Sequence, residues 1–562
     1  MELFKGQEKE QEDSVALISA HDQEWRDTEF LQQQPRNKIC HRLMLAGVLC
    51  TMIFGGMIIG ALFTAPMLTT TTTTTSEKAP RNIIFMISDG MGPASVSFAR
   101  SYYQYINKLP YDYQMPLDTI HVGQSRTRSS STLVTDSAAG ATAFSCGLKT
   151  YNGAVGVAPD GHPCGTILEA AKHQLGMKTG LVATSRITHA TPASWSAHVI
   201  DRDDEDNIAV QQVGDNPIGR SVDLMFGGGY CHFLPKEDPR GCRKDNRNVL
   251  EESTQTYGWR TVIVENRTTF DEMPMEDVLP AIALFSSDHM SYEIDRDATI
   301  EPSLTEMTKK ALDILTVGTA SQDKGFFLMV EGSRIDMAAH SNDPAAHLHD
   351  ILEYQNAVAL VKEYVDQHPD TFMISTSDHE TGGLSLARQV SAAYPKYLWF
   401  PDVLANVKSS TAALAKELAS GALDVQKAIS ELGISDATKE ELSAISKSIH
   451  STSATDKYLS DMISIRAELG WATHGHSGVD VNLYAYGQWS DRLVGNHENT
   501  YLGQFLADVW NLNLTDTTEL LNANDSSFHV KTVTDDVKKS YIEHLDKYNS
   551  NPALLHHYRP FP

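Results

Sequence analysis

The sequence predicts an α/β fold, a three-layer sandwich in which helices cover both faces of a mostly parallel sheet. Two observations carry this. From Arg81 onward, apolar β-branched runs alternate with stretches of helical spacing, the pattern written by successive strand–helix units. A carboxylate also stands just past three of the runs: NIIFMIS ends at Asp89, FFLMV at Glu331, and TFMIST leads through Ser377 to Asp378. Open α/β sheets build their sites beyond the carboxyl ends of the strands, so side chains hundreds of residues apart can meet there.

Taken in order, residues 1–42 read as a polar tail and residues 43–63 as an uncharged apolar run long enough to cross a bilayer as a helix. Arg36, Lys38 and Arg42 precede the run, so the tail is expected to stay cytosolic and everything after it to lie on the lumenal side, held by an uncleaved type II signal anchor. Within the linker 64–80, seven consecutive threonines at 69–75 form a spacer. The catalytic region is expected over 81–528. Strands include KTGLVAT before Ser185 and VNLYAYG at 481–487, and helical spacing runs over 165–175, 305–318, 344–366 and 501–510. Between 390 and 470 the alternation gives way to Ala, Leu, Lys, Glu and Ser with helical spacing, read as an inserted helical subdomain. Residues 529–562 read as a loosely held tail.

Four of six cysteines, Cys146, Cys164, Cys231 and Cys242, follow the anchor, in the oxidising compartment. Three pairings are open to them; Cys146–Cys164 and Cys231–Cys242 are the short-loop choice, each worth roughly 3 kcal/mol by loop entropy. Sequons at Asn266, Asn513 and Asn524 agree with lumenal placement but occur often by chance. Asp13 followed by Leu17-Ile18 has the acidic dileucine form read by sorting adaptors, which fits a vacuolar or lysosome-like destination; a disordered tail explains the same residues. The net charge of −26 disfavours a nucleic-acid-binding surface, and a small anionic substrate would need a strongly positive pocket, most simply one holding metal.

The chemistry-bearing residues begin with VTDSAAGATAF, which puts Ser137 at the start of a small-residue helix, where unpaired N–H groups and the dipole favour an anion. The same pattern also fits an ordinary N-cap. Asp336 and His340, four apart, share a helical face; Asp378 and His379 are adjacent; His474 and His476 lie in THGHSGVD. Any one pair fits a solvated loop, but several acid and histidine groups at strand ends point to a metal site.

These segments, in order, resemble the alkaline phosphatases: Asp89-Gly90, Asp136-Ser137-Ala138-Ala139, His189-Ala190-Thr191-Pro192, Glu331-Gly332 with Asp336 and His340, Asp378-His379-Glu380-Thr381-Gly382-Gly383, and His476-Ser477-Gly478. The resemblance implies a hydrolase of phosphate monoesters, phosphopeptides among them, with two zinc ions and one magnesium ion per subunit, and a homodimer. It gives the first zinc to Asp336, His340 and His476, the second to Asp89, Asp378 and His379, and magnesium to Asp89, Thr191 and Glu331. Ser137 becomes the nucleophile, and the leaving oxygen falls on the side of the first zinc. Arg202, by itself a surface arginine among Asp201, Asp203 and Asp204, becomes a bidentate phosphate fork oriented by Asp136.

Two positions depart from the bacterial pattern: His189 stands where those enzymes have aspartate, and Met337 where they have lysine, so the third ion is open between magnesium and zinc. His198, His347 and His349 match no role and are read as structural. The rival readings are a nucleotide phosphodiesterase or sulfatase with the same metal cage, and a membrane-tethered metal-binding ectodomain without catalysis.

Overall fold

A computed structural model describes residues 79–320 and 324–523. The anchor at 43–63, the threonine linker up to residue 78, the dileucine segment, Asn524 and the tail 529–562 lie outside the described residues. None of the described helices is long and apolar enough to cross a membrane.

The strands are β1 Asn82–Ile87, β2 His121–Arg126, β3 Lys178–Arg186, β4 Leu224–Gly228, β5 Thr261–Val264, β6 Ala281–Leu284, β7 Phe326–Glu331, β8 Thr371–Thr376, β9 Glu380–Thr381, β10 His476–Ser477, β11 Val481–Gly487 and β12 Gly495–Glu498. Ten of them form one sheet in the order β12-β2-β11-β8-β1-β7-β3-β4-β6-β5, and β9 pairs with β10 apart from it. All neighbours in the large sheet are parallel except β11, which runs antiparallel to both β2 and β8.

β1 shows how the layers arise. Every residue of NIIFMI is buried, as a central parallel strand requires, and the period of two sends alternate side chains to opposite cores. Ile84 and Met86 pack with Phe98, Leu312, Leu315, Ile351 and Val358, from the helices Pro93–Asn107, Leu304–Ala320 and Pro344–Gln367. Ile83, Phe85 and Ile87 pack with Phe144, Ile167, Leu168, Ala209 and Leu506, from the helices Ser137–Cys146, Ile167–Leu175, Glu205–Val213 and Asn499–Trp510. The predicted sandwich with a mostly parallel central sheet is therefore what the chain forms.

Within 411–467 lie four helices, Thr411–Ser420, Val425–Glu431, Lys439–Ser448 and Thr452–Ala467, and their Leu414, Leu418, Ile429, Ile445, Leu459 and Ile463 extend the first of these cores. Both short-loop disulfides are present, Cys146–Cys164 and Cys231–Cys242, with Cα separations of 6.0 and 5.0 Å. Each loop closure removes unfolded-chain entropy, and the first staples the far end of the helix that starts at Ser137.

Candidate active site

Asp89, Glu331 and Asp378 stand at or just past the ends of the three adjacent strands β1, β7 and β8, and all are buried. Parallel pairing puts these ends on the same edge of the sheet, which is why residues far apart in sequence converge. Gly90 lets the approach close. Its φ is +74°, and a Cβ there would meet the Asp336 Cα at 2.7 Å.

Ser137 is the first residue of its helix, with Asp136 as the N-cap. Asp136 Oδ1 accepts from the Ala139 N–H at 3.0 Å, and Oδ2 accepts from the Gly153 N–H at 2.9 Å and from Arg202 Nη1 at 3.1 Å. One carboxylate thus fixes both the helix start and the guanidinium. The serine hydroxyl sits 3.1 Å from His379 Nε2.

Asp336, His340 and His476 bring one ligand atom each within 4.8 Å of one another, as do Asp89, Asp336 and His379, and Asp89, His189 and Glu331. Asp378 joins the second group, since its Oδ2 and Asp89 Oδ1 are each 3.4 Å from His379 Nε2. Thr191 joins the third by proximity, being near enough to Glu331 to act on its carboxyl. Every ligand expected from the sequence is therefore drawn into one contiguous cluster, and His189 enters it as well. His474 brings no ring nitrogen into it; its carbonyl and its Nδ1 instead bond to His340. His198 and His347 are spent elsewhere, on Glu169 and Gly156 and on Ser95 and Ile335 respectively.

The proton arrangement fits metal. His340 Nδ1 donates to the His474 carbonyl at 2.6 Å, His476 Nδ1 to the Thr135 carbonyl at 2.7 Å, and His379 Nδ1 to Thr381 Oγ1 at 3.2 Å, the Thr381 hydroxyl being given to Asp336. Each ring therefore turns the lone pair of its Nε2 inward, the tautomer that metal-bound histidines are held in by their outer hydrogen bonds. His340 Nε2 and His476 Nε2 face each other at 3.1 Å. That spacing needs a proton or a metal ion between the two nitrogens, and two nitrogens at ~2.0 Å on a tetrahedral ion are about 3.3 Å apart, so it accommodates the metal.

The oxygens make the same point. Asp89 Oδ1 and Oδ2, Glu331 Oε1, Asp378 Oδ2 and Thr191 Oγ1 are buried with no hydrogen-bond partner, an arrangement native interiors avoid unless an ion supplies it. Burial, reinforced by neighbouring carboxylates, pushes Asp89 well above the usual range, Glu331 up to about 8 and Asp378 up to about 7. Asp336 goes the other way: against its burial, a proton taken up on His340 Nε2 where no metal ion is bound holds it low, and His340 rises in turn to about 9. Burial and then His476 drive His379 far below its ordinary value. Four carboxylates so packed call for divalent cations, and the mixed N/O donor set suits zinc at the histidine groups and a harder ion near Glu331.

Sequence reasoning quoted Thr381 in its motif without giving it a role, and missed the carbonyls of Thr135 and His474, and His289, whose ring lies 5.2 Å from that of His189 and accepts from Arg186. Thr381 stands two residues after His379 and was open to inspection; backbone carbonyls carry no residue signal.

A sequence model of the family described as alkaline phosphatase matches residues 80–512. The chain is 47% identical to an alkaline phosphatase of Schizosaccharomyces pombe, over 81% of this chain and 85% of that one. It is 46% identical to the repressible alkaline phosphatase of Saccharomyces cerevisiae, over 83% and 87%. Among solved structures it resembles a cold-active alkaline phosphatase from the psychrophile Shewanella sp., with a TM-score of 0.65, 31% identity, and 76% of this chain and 99% of that chain covered.

Proposed function

The chain belongs to the alkaline phosphatase family and is a metal-dependent phosphomonoesterase, and from that premise we propose that it cleaves phosphate monoesters of broad leaving-group structure through a phosphoserine at Ser137. Two zinc ions and one magnesium ion complete the site. Asp336, His340 and His476 would hold the first zinc, Asp89, Asp378 and His379 the second, and Asp89, Thr191 and Glu331 the magnesium, with His189 beside it. When bound, these cations neutralise the carboxylates, favour the ionised form of the Ser137 hydroxyl and stabilise charge on the transferring phosphoryl group.

The protein's own part is positioning. Ser137 Oγ bonds to phosphorus as the ester P–O bond breaks, and water then breaks the Oγ–P bond, so two inversions leave the configuration at phosphorus retained. Helix N–H groups beyond Ser137 lie where anionic phosphoryl oxygens would gather. Arg202, tethered at Nη1 by Asp136 and at Nη2 by His189, keeps its other N–H donors for those oxygens. Nothing in this set grips the leaving group's carbon skeleton, which supports broad specificity.

The observation that carries the reading is the inward-facing set of unpartnered donors and acceptors beside the Ser137 hydroxyl. Acid quench of steady turnover followed by mass spectrometry should find phosphate on the Ser137 peptide. Ser137→Ala should lose turnover yet keep its metals; near-normal activity in that variant refutes the nucleophile.

The proposal includes placement as a type II membrane protein of a vacuole-like compartment, a homodimer in its assembled form, with 1–42 available to a sorting adaptor. The apolar run 43–63 with its positive N-terminal flank supports the topology, two disulfides suit an oxidising lumen, and similarity to the yeast repressible enzyme supports the family setting. Protease protection of the catalytic region in sealed membranes tests the topology, and light scattering on solubilised protein tests the dimer.

A further inference from the structure

Beside the group Asp336, His340 and His476 lies a cavity of about 320 Å³, lined by Asn342, Arg388, Lys457, Asp461, Trp471 and His474 among others. Sites for small molecules fall in the range of about 300–1,000 Å³, so it has room for an organic group rather than only for water. Its link to the metal ligands is direct. His340 Nδ1 donates to the His474 carbonyl at 2.6 Å, and His474 Nδ1 donates back to the His340 carbonyl at 2.9 Å. The His474 ring is thereby fixed at the border between the cluster and the cavity.

The lining is cationic on a chain of net charge −26. Arg388 shares its guanidinium with Asp461 at 2.9 Å, which cancels one charge of each sign. Lys457 is exposed and forms no salt bridge with a described residue; the neighbouring Asp456 carboxylate feels its charge but has both oxygens on the Ser341 and Thr411 hydroxyls, so the ammonium is left able to meet an anion in the cavity. Trp471 is pinned by its Nε1 donating to Ser464 Oγ at 3.0 Å and supplies a flat apolar wall. Lys457, Asp461 and Ser464 all belong to the helix Thr452–Ala467, so the helical segment after residue 410 contributes directly to this wall.

We propose that this cavity is a leaving-group subsite that favours phosphate monoesters bearing a second anionic group, phosphate or carboxylate, on the departing alcohol. The inference rests on the phosphomonoesterase reading, in which the ester oxygen departs on the side of Asp336, His340 and His476. A tethered anion emerging there meets Lys457 first, while the rest of the protein's surface repels it. Reaction at phosphorus is unaltered; only the affinity for one class of alcohol is raised.

The test is calorimetric binding to the metal-loaded full chain, with non-hydrolysable alkane α,ω-bisphosphonates of graded length, each set against the monophosphonate of equal length. Beyond the statistical factor of two, the best bisphosphonate should bind about fivefold tighter, the factor for one part-exposed ion pair. That preference should disappear in Lys457→Glu and at high ionic strength and persist in Lys457→Arg. Matched ω-carboxy phosphonates tell a carboxylate-selective subsite from a phosphate-selective one; preference for either sustains the proposal. Equal affinities at every length, or a preference that Lys457→Glu leaves intact, overturn it. If the parent protein binds no monophosphonate and turns over no p-nitrophenyl phosphate, it is the underlying hydrolase reading that fails.

Discussion

Arg202 donates from Nη2 to His189 Nε2 at 3.0 Å while its Nη1 holds Asp136 at 3.1 Å. A guanidinium only donates, so His189 Nε2 carries no proton and the ring is neutral with its proton on Nδ1. Burial, followed by the Arg202 charge, pushes His189 far below its ordinary value, which agrees. The arginine predicted to fork a phosphate therefore has one prong resting on the residue that distinguishes this chain from the bacterial pattern.

Removing the fork should weaken anion binding more than it disturbs the fold. Arg202→Ala is expected to raise the inhibition constant for inorganic phosphate by about 10- to 100-fold, the loss of a charge-assisted hydrogen-bond pair. An unchanged constant in steady-state kinetics would return Arg202 to a purely structural part in holding Asp136.

At the neighbouring position, His189→Asp replaces a nitrogen by a carboxylate within reach of Asp89 and Glu331. Harder oxygen donors favour magnesium over zinc. Metal analysis after dialysis against both ions should show the magnesium-to-zinc ratio rising in the variant, and identical ratios in the two proteins would remove His189 from any part in ion choice.

Chelation should abolish turnover and lower the unfolding temperature together, because unbalanced carboxylates at 89, 331 and 378 are left buried. An ion present at about 1,000 times its dissociation constant stabilises by roughly 4 kcal/mol. Zinc with magnesium should restore both readouts; full activity in chelator rules out the metal site.

A pH effect is expected away from the metals. His198 Nδ1 faces the Gly156 carbonyl at 2.6 Å and Nε2 faces Glu169 at 2.9 Å, so both nitrogens meet acceptors and the doubly protonated ring fits best. Burial pulls its pKa down, but Glu169 more than offsets this and the value ends above the ordinary one. A raised folded-state pKa gives stabilisation that is complete below the unfolded value of about 6.5 and is lost as pH rises through the folded value. The gap in unfolding temperature between wild type and Glu169→Gln should thus be widest in acid and narrow above about pH 6.5; a constant gap across that range contradicts it.

How much of this was legible beforehand follows from where each residue sits. β1, β7 and β8 announced themselves because both of their faces are buried and each carries a run of three to five consecutive apolar residues. β12, GNHE, at the sheet edge, and β2, HVGQSR, next to it, are polar and only partly buried and left no such trace. The direction of β11 was equally hidden, since periodicity reports which face a side chain takes and not which way a strand runs. At the site, acids at strand ends and the spacing of Asp336 and His340 were readable, and the ordered motifs supplied the rest. The tether between Arg202 and His189 was not, because it depends on two loops meeting in space.

The cage draws on β1 near the beginning of the catalytic region, on β7 and β8 well beyond its middle, and on His476 near its end; Gly90 and Asp378, which touch, are 288 residues apart. No fragment released early from the ribosome carries even one complete ion-binding group. Capture of ions by the groups that need His379 and His476 must then wait for an almost finished sheet, and the metal content of a preparation becomes a count of molecules that have reached it.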